Sequence, residues 1–204
     1  MDFLNINQQL INANKIMQEN DVTGTITMFG SARISEESEE YKKAKAVSKA
    51  ISESFPQFHI LTGGGGGIMK AGNEGASEGA STPSIGMGIS LPFEQGMNEF
   101  VDIAIEFEHF FIRKYWMTHS AKCVIAFPGG IGTLEEFYEI LVLKQTKKID
   151  DIPIILVGKE YWSKAINLEY LVKKGLMSKD DLNAIIITND ISVIIKHLKD
   201  NIIE

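Results

Sequence analysis

Two segments of the chain carry glycine in the pattern that anion binding needs. In the first, Ile60-Leu61-Thr62 runs into Gly63–Gly67 and leaves as Ile68-Met69-Lys70-Ala71-Gly72-Asn73. In the second, Ile125-Ala126-Phe127 runs into Pro128-Gly129-Gly130-Ile131-Gly132-Thr133-Leu134-Glu135-Glu136. Each reads as an apolar strand that enters glycine and exits as a helix. Glycine lets backbone amides approach a ligand closely, and a helix start offers free N–H groups and the positive end of its dipole. An isolated turn of this kind is better read as a tight strand-to-helix connection, but two of them in one doubly wound sheet favour a phosphate. Neither G-x-x-x-x-G-K-[ST] nor G-x-G-x-x-G occurs, which disfavours a triphosphate or dinucleotide site.

The cations point to the same places. Of twenty basic residues, only Arg33 and Arg113 are arginine, the side chain whose planar fork holds a phosphate or carboxylate bidentately. Arg33 closes Phe29-Gly30-Ser31-Ala32-Arg33 at the end of a strand candidate. Arg113 stands beside Lys114 in the aromatic helix Phe110–Met117, just before the second glycine turn. A solvated helix face is the plainer reading of such a pair. Thr133 and Glu136 also fit an S/T-x-x-E capping box. With an apolar stripe at Leu134, Phe137, Tyr138, Leu141 and Val142, however, Glu136 falls about 200° round the helix from Leu134. It is then expected to point away from its own core, at the helix end where an anion would sit. The four histidines lack ligand spacing, so no metal is expected.

These residues need a scaffold, and the chain supplies one. At 204 residues it reads as one large domain, 1–204, with residues 1–20 as an appended N-terminal helix. Strand candidates recur at Thr25–Phe29, His59–Leu61, Ser84–Ile89, Val101–Phe107, Lys122–Phe127, Pro153–Val157 and Ala184–Thr188. Helical periodicity fills most gaps, as in Glu36–Ser54 and in a last helix capped by Asp190. The alternation predicts an α/β fold, a doubly wound parallel sheet flanked by helices, with ligands at the carboxyl ends of strands. A net charge of -7 argues against a sequence-independent nucleic-acid binder. One cysteine, no signal-peptide pattern and no membrane-length apolar run predict a cytoplasmic protein without a membrane partner.

Pro128–Glu136 resembles the PGGxGTxxE signature of the LOG (lonely guy) family of nucleoside 5'-monophosphate phosphoribohydrolases. Gly30-Ser31-Ala32-Arg33, the Gly63–Met69 turn, Leu91-Pro92-Phe93-Glu94-Gln95 and Arg113-Lys114 follow the family's order. The chain departs from the pattern at Gly66, Lys70, Met97 and Ile131. The resemblance implies a Rossmann-like fold, Arg113 and Glu136 as the catalytic pair, and glycine turns that hold a 5'-phosphate. Phosphate and ribose would then meet Gly64, Gly65, Gly130, Gly132, Thr133, Ser31, Arg33 and Lys114. It implies hydrolysis of the N-glycosidic bond of an AMP-type nucleotide, without a cofactor, in a homodimer or an assembly of dimers. Members were long labelled lysine decarboxylases. That label requires a lysine Schiff base to pyridoxal phosphate, and no lysine here is singled out for one. The alternative of a different class is a carrier of the same fold that binds a nucleotide or molybdopterin without cleaving it.

Overall fold

The computed structural model describes residues 3–90 and 96–202. In chain order the described elements begin with α1 (Phe3–Glu19), β1 (Thr25–Phe29), α2 (Glu39–Ser54), β2 (His59–Thr62) and α3 (Ile68–Gly79). There follow β3 (Ile85–Ile89), β4 (Ile103–Phe107), α4 (Phe110–His119), β5 (Ala121–Ala126), α5 (Ile131–Gln145) and β6 (Ile154–Val157). The last are α6 (Lys159–Ala165), α7 (Leu168–Lys173), α8 (Lys179–Asn183), β7 (Ile185–Thr188) and α9 (Ile191–Asn201). The seven strands pair in the order β4-β3-β2-β1-β5-β6-β7, and every pairing is parallel. The fold is therefore α/β and Rossmann-like, as the alternation predicts. Among the described residues no helix is long and apolar enough to cross a membrane.

Parallel strands joined by helices must be covered on both faces, and the core accordingly forms two layers. One packs Leu61, Val124, Ala126 and Leu156 of the sheet under Met17 of α1, Ile112 of α4, Phe137 and Ile140 of α5, and Trp162 of α6. The other packs Ile26, Met28, Cys123 and Ile125 under Val47 of α2, Ala71 of α3 and Ile194 of α9. Cys123 is fully buried, and burial pushes its thiol far up from the ordinary range. The N-terminal helix docks on the body: Ala13 and Met17 are buried, and Asn5 Nδ2 donates to Glu108 Oε2 at 2.8 Å.

Strand order reverses at β1 and β5, so the crevice beyond their carboxyl ends is the switch point where ligands of open α/β sheets bind. Both glycine turns and the loop after β1 empty there. Helix α2 begins later than its periodicity suggests, because Ser38 caps it by accepting from Tyr41 N at 3.1 Å.

Candidate active site

The loop after β1 ties the two glycine turns together. Ser31 N donates to the Pro128 carbonyl at 3.1 Å, and the Ser31 carbonyl accepts from Ile68 N, at the start of α3, at 3.0 Å. The Ser31 hydroxyl accepts from Arg33 N at 3.0 Å, and Arg33 itself is exposed. Gly67 makes this closeness possible. Its φ is +57°, and a Cβ there would lie 2.3 Å from the Ser31 carbonyl oxygen, so no L side chain fits.

Arg113 of α4 and Glu136 of α5 meet across the two helices, with Nη2 to Oε1 at 2.8 Å. Their side chains are only 12% and 13% exposed, so the pair sits in a low-dielectric setting. Burial pushes the Glu136 carboxyl up to about 7; the Arg113 charge opposes this rise and the nearby Glu135 charge adds to it. Arg113 Nε is buried with no hydrogen-bond partner, and the guanidinium lies 5.6 Å from the Phe110 ring centroid. A buried donor without a partner is uncommon and marks a place where an acceptor fits.

Here two expectations need correction. The buried stripe of α5 is Thr133, Phe137, Ile140 and Leu141, whereas Tyr138 and Val142 are exposed. At 100° per residue Glu136 lies about 40° from Ile140 and about 60° from Thr133, so it flanks the buried stripe and does not face solvent. The capping box does not form either. The helix starts at Ile131 with Gly130 as its N-cap and no side-chain cap, which puts Thr133 inside the first turn and leaves Glu136 to Arg113.

A cavity of about 80 Å³ lies against Arg113, bounded by Gly63, Gly64, Gly65, Met97 and Glu106. It sets the first glycine turn against the arginine of the ion pair. In the second turn Gly130 and Gly132 face open space, while Thr133 is buried and tucked against Gly129, where a Cβ would lie 2.2 Å from its Oγ1. Lys114 does not join this group. Its Nζ pairs with Glu135 and with Glu139, the latter at 3.0 Å, and it lines a separate cavity between α1, α4 and α5.

Sequence reasoning missed the support beneath the first turn. Asn98 is buried and its Nδ2 lies 3.0 Å from both the Gly64 and Gly65 carbonyls and 3.1 Å from Asn73 Oδ1. Thr62 Oγ1 donates to Asn73 Oδ1 at 2.7 Å and accepts from Gly64 N at 3.0 Å. Glu106 was missed as well, although its alternation with buried residues along β4 turns it outward beside the cavity. The Leu91–Gln95 segment, one of the motifs quoted for the resemblance, lies outside the described residues.

Comparison with known proteins bears on this geometry. Residues 69–198 match a family model described as possible lysine decarboxylase. A cytokinin riboside 5'-monophosphate phosphoribohydrolase from Rhodococcoides fascians is 29% identical over 80 residues, which is 39% of this chain. The match spans 40% of that relative's length. Among solved structures, the molybdenum cofactor binding protein of Rippkaea orientalis superposes with a TM-score of 0.62 at 24% identity, over 87% of this chain and 96% of that one. The molybdenum cofactor carrier protein of Chlamydomonas reinhardtii also gives 0.62, at 22% identity over 87% and 97%. At these identities the structures speak for the fold alone. The family model, which covers more than half of the sequence, carries the assignment: this chain belongs to the LOG family, the group whose model bears the lysine decarboxylase description.

Proposed function

We propose that the protein hydrolyses the N-glycosidic bond of a nucleoside 5'-monophosphate of the AMP type, releasing the free base and ribose 5-phosphate. The observation that carries this reading is the buried Arg113–Glu136 pair, whose arginine lines the cavity against the first glycine turn. Cleavage of the bond between base and C1' leaves an oxocarbenium-like sugar, which a carboxylate stabilises. Glu136 in its ionised form does this and takes a proton from the water that adds to C1'; the base leaves with the electron pair of the glycosidic bond and is protonated from solvent, to which Glu136 gives up the water's proton. A carboxyl poised at about 7 suits that exchange near neutral pH. Arg113 stays protonated and acts electrostatically, orienting Glu136 through Nη2. Gly64, Gly65, Gly130, Gly132 and Thr133 hold the phosphate, with Ser31 and Arg33 along the ribose or phosphate side. Lys114 is engaged by Glu135 and Glu139 on the α4–α5 seam and takes no part in holding the phosphate.

A second copy of the chain completes the assembly in this reading. Phe111 and Tyr115 of α4 and Tyr138 and Val142 of α5 are exposed, and Phe111 and Tyr115 line an apolar cavity of about 690 Å³. Exposed apolar residues on two helices tied by the Lys114–Glu139 ion pair suit an interface.

The second reading is a carrier without hydrolysis, the role that the names of the two structural neighbours of this fold state for them. Incubation with AMP and chromatography separates the two. Free adenine and ribose 5-phosphate support the hydrolase; AMP recovered intact from a protein that binds it supports the carrier.

A further inference from the structure

We infer that Asn98 and Tyr161 are positioning residues that fix the direction of the amides in the two glycine turns, each by gripping a turn carbonyl from behind. The inference rests on the phosphate-site reading of these turns and adds to it two residues that no motif contains.

The argument is one of peptide geometry. In a planar trans peptide the C=O of one residue and the N–H of the next point in opposite directions, and the described chain has no cis peptide. Asn98 Nδ2 reaches the carbonyls of Gly64 and Gly65, each at 3.0 Å, and Asn98 N donates to the Gly64 carbonyl at 2.8 Å. Gly65 N–H and Gly66 N–H must then point away from Asn98, side by side. Neither donates to any carbonyl or side chain of the described residues. Two adjacent, co-directed, unpartnered amides are the elements of an anion cradle.

Asn98 is itself held. Its Oδ1 accepts from Phe100 N at 3.1 Å, and its Nδ2 also reaches Asn73 Oδ1, which accepts from Thr62. With Asn73 and Thr62 fully buried, the network has little freedom to let the turn rotate.

The second turn repeats the device with different chemistry. The Tyr161 hydroxyl donates to the Gly129 carbonyl, and its ring stands edge-on to the fully buried Trp162, 5.0 Å between centroids. Gly130 N–H therefore points away from Tyr161. It joins the uncapped first-turn amides of α5, where no side chain supplies a cap. Without these grips a glycine turn samples many conformations and the amides lose their common direction.

Removing one grip should weaken phosphate binding about tenfold, the scale of one neutral hydrogen bond lost from a preorganised site. The test uses Asn98→Asp, which sets a carboxylate oxygen against the two carbonyls, and Tyr161→Phe, which removes only a hydroxyl. Ribose 5-phosphate is titrated calorimetrically into the full-length protein and each variant, and kcat/KM is measured for AMP and for adenosine. The expected result is a tenfold rise in the Kd for ribose 5-phosphate and a similar fall in the AMP-over-adenosine preference. A general loosening of the fold would lower both substrates together and leave that preference unmoved. If Asn98→Asp does not fold, Tyr161→Phe decides. Variants that bind ribose 5-phosphate as the parent does, or a parent that does not bind it, overturn the inference. A parent that binds ribose 5-phosphate but leaves AMP intact, with variants that bind it more weakly, overturns the hydrolase reading and sustains this one.

Discussion

At the scale of single residues, the unusual group is Glu136, a carboxyl held near neutrality by burial although an arginine touches it. The carboxylate is the working form in our reading, so kcat/KM should climb as pH rises through about 7 and level off above it. The sign follows from burial: protonation below that pH removes the charge that faces the sugar. Glu136→Gln should lower kcat by roughly 10²- to 10³-fold, the range seen when one transition-state contact is deleted. Nucleotide binding, read by calorimetry, should persist because the glycine turns are untouched. A profile flat between pH 5 and 9, or normal turnover in the variant, removes Glu136 from the chemistry. Arg113 and Glu136 were legible in the sequence because arginine is scarce and the glutamate closes a motif. Asn98 was not: it acts 34 residues from the turn it grips, and only the paired strands bring them together.

At the scale of elements, the two turns imply a phosphate requirement. AMP should be cleaved far better than adenosine, with ADP and ATP poor, because the bond energy gathered at a remote phosphate anchors the reacting sugar. Parallel assays of adenine release check this, and equal rates for AMP and adenosine would refute the cradle. The helix that leaves the first turn carries its own constraint. Gly75 of α3 lies so close to α2 that a Cβ would stand 2.2 Å from the Lys45 carbonyl oxygen. Alanine gains about 1 kcal/mol of helix propensity over glycine, but a backbone clash of this kind costs about 1–3 kcal/mol. The balance is a loss of about 0–2 kcal/mol, so Gly75→Ala should lower the melting temperature by up to roughly 8 °C for a chain of this length. Strand positions were legible because apolar runs of four to six residues alternate with helical periodicity. The face of α5 was not, since apolar residues occupy more of it than the sheet can cover.

At the scale of the molecule, those surplus apolar residues become informative. Val142 is 52% exposed, so Val142→Glu should leave a monomer's fold unharmed. If a second copy packs on this face, the variant should sediment at half the mass of the parent and lose activity along with it. An unchanged mass for the variant, or a monomeric parent, removes the dimer from the proposal. The single cysteine has a different consequence. Cys123 sits in β5 beside the central strand, at 0% exposure, with a thiol that burial keeps protonated. An alkylating reagent can reach it only when the helix layer over this face of the sheet opens, since Cys123 packs with residues of α2, α3 and α9. The chain thus carries a built-in clock: its rate of irreversible labelling in native buffer times the opening of that helix layer, and a ligand that braces the layer should slow it.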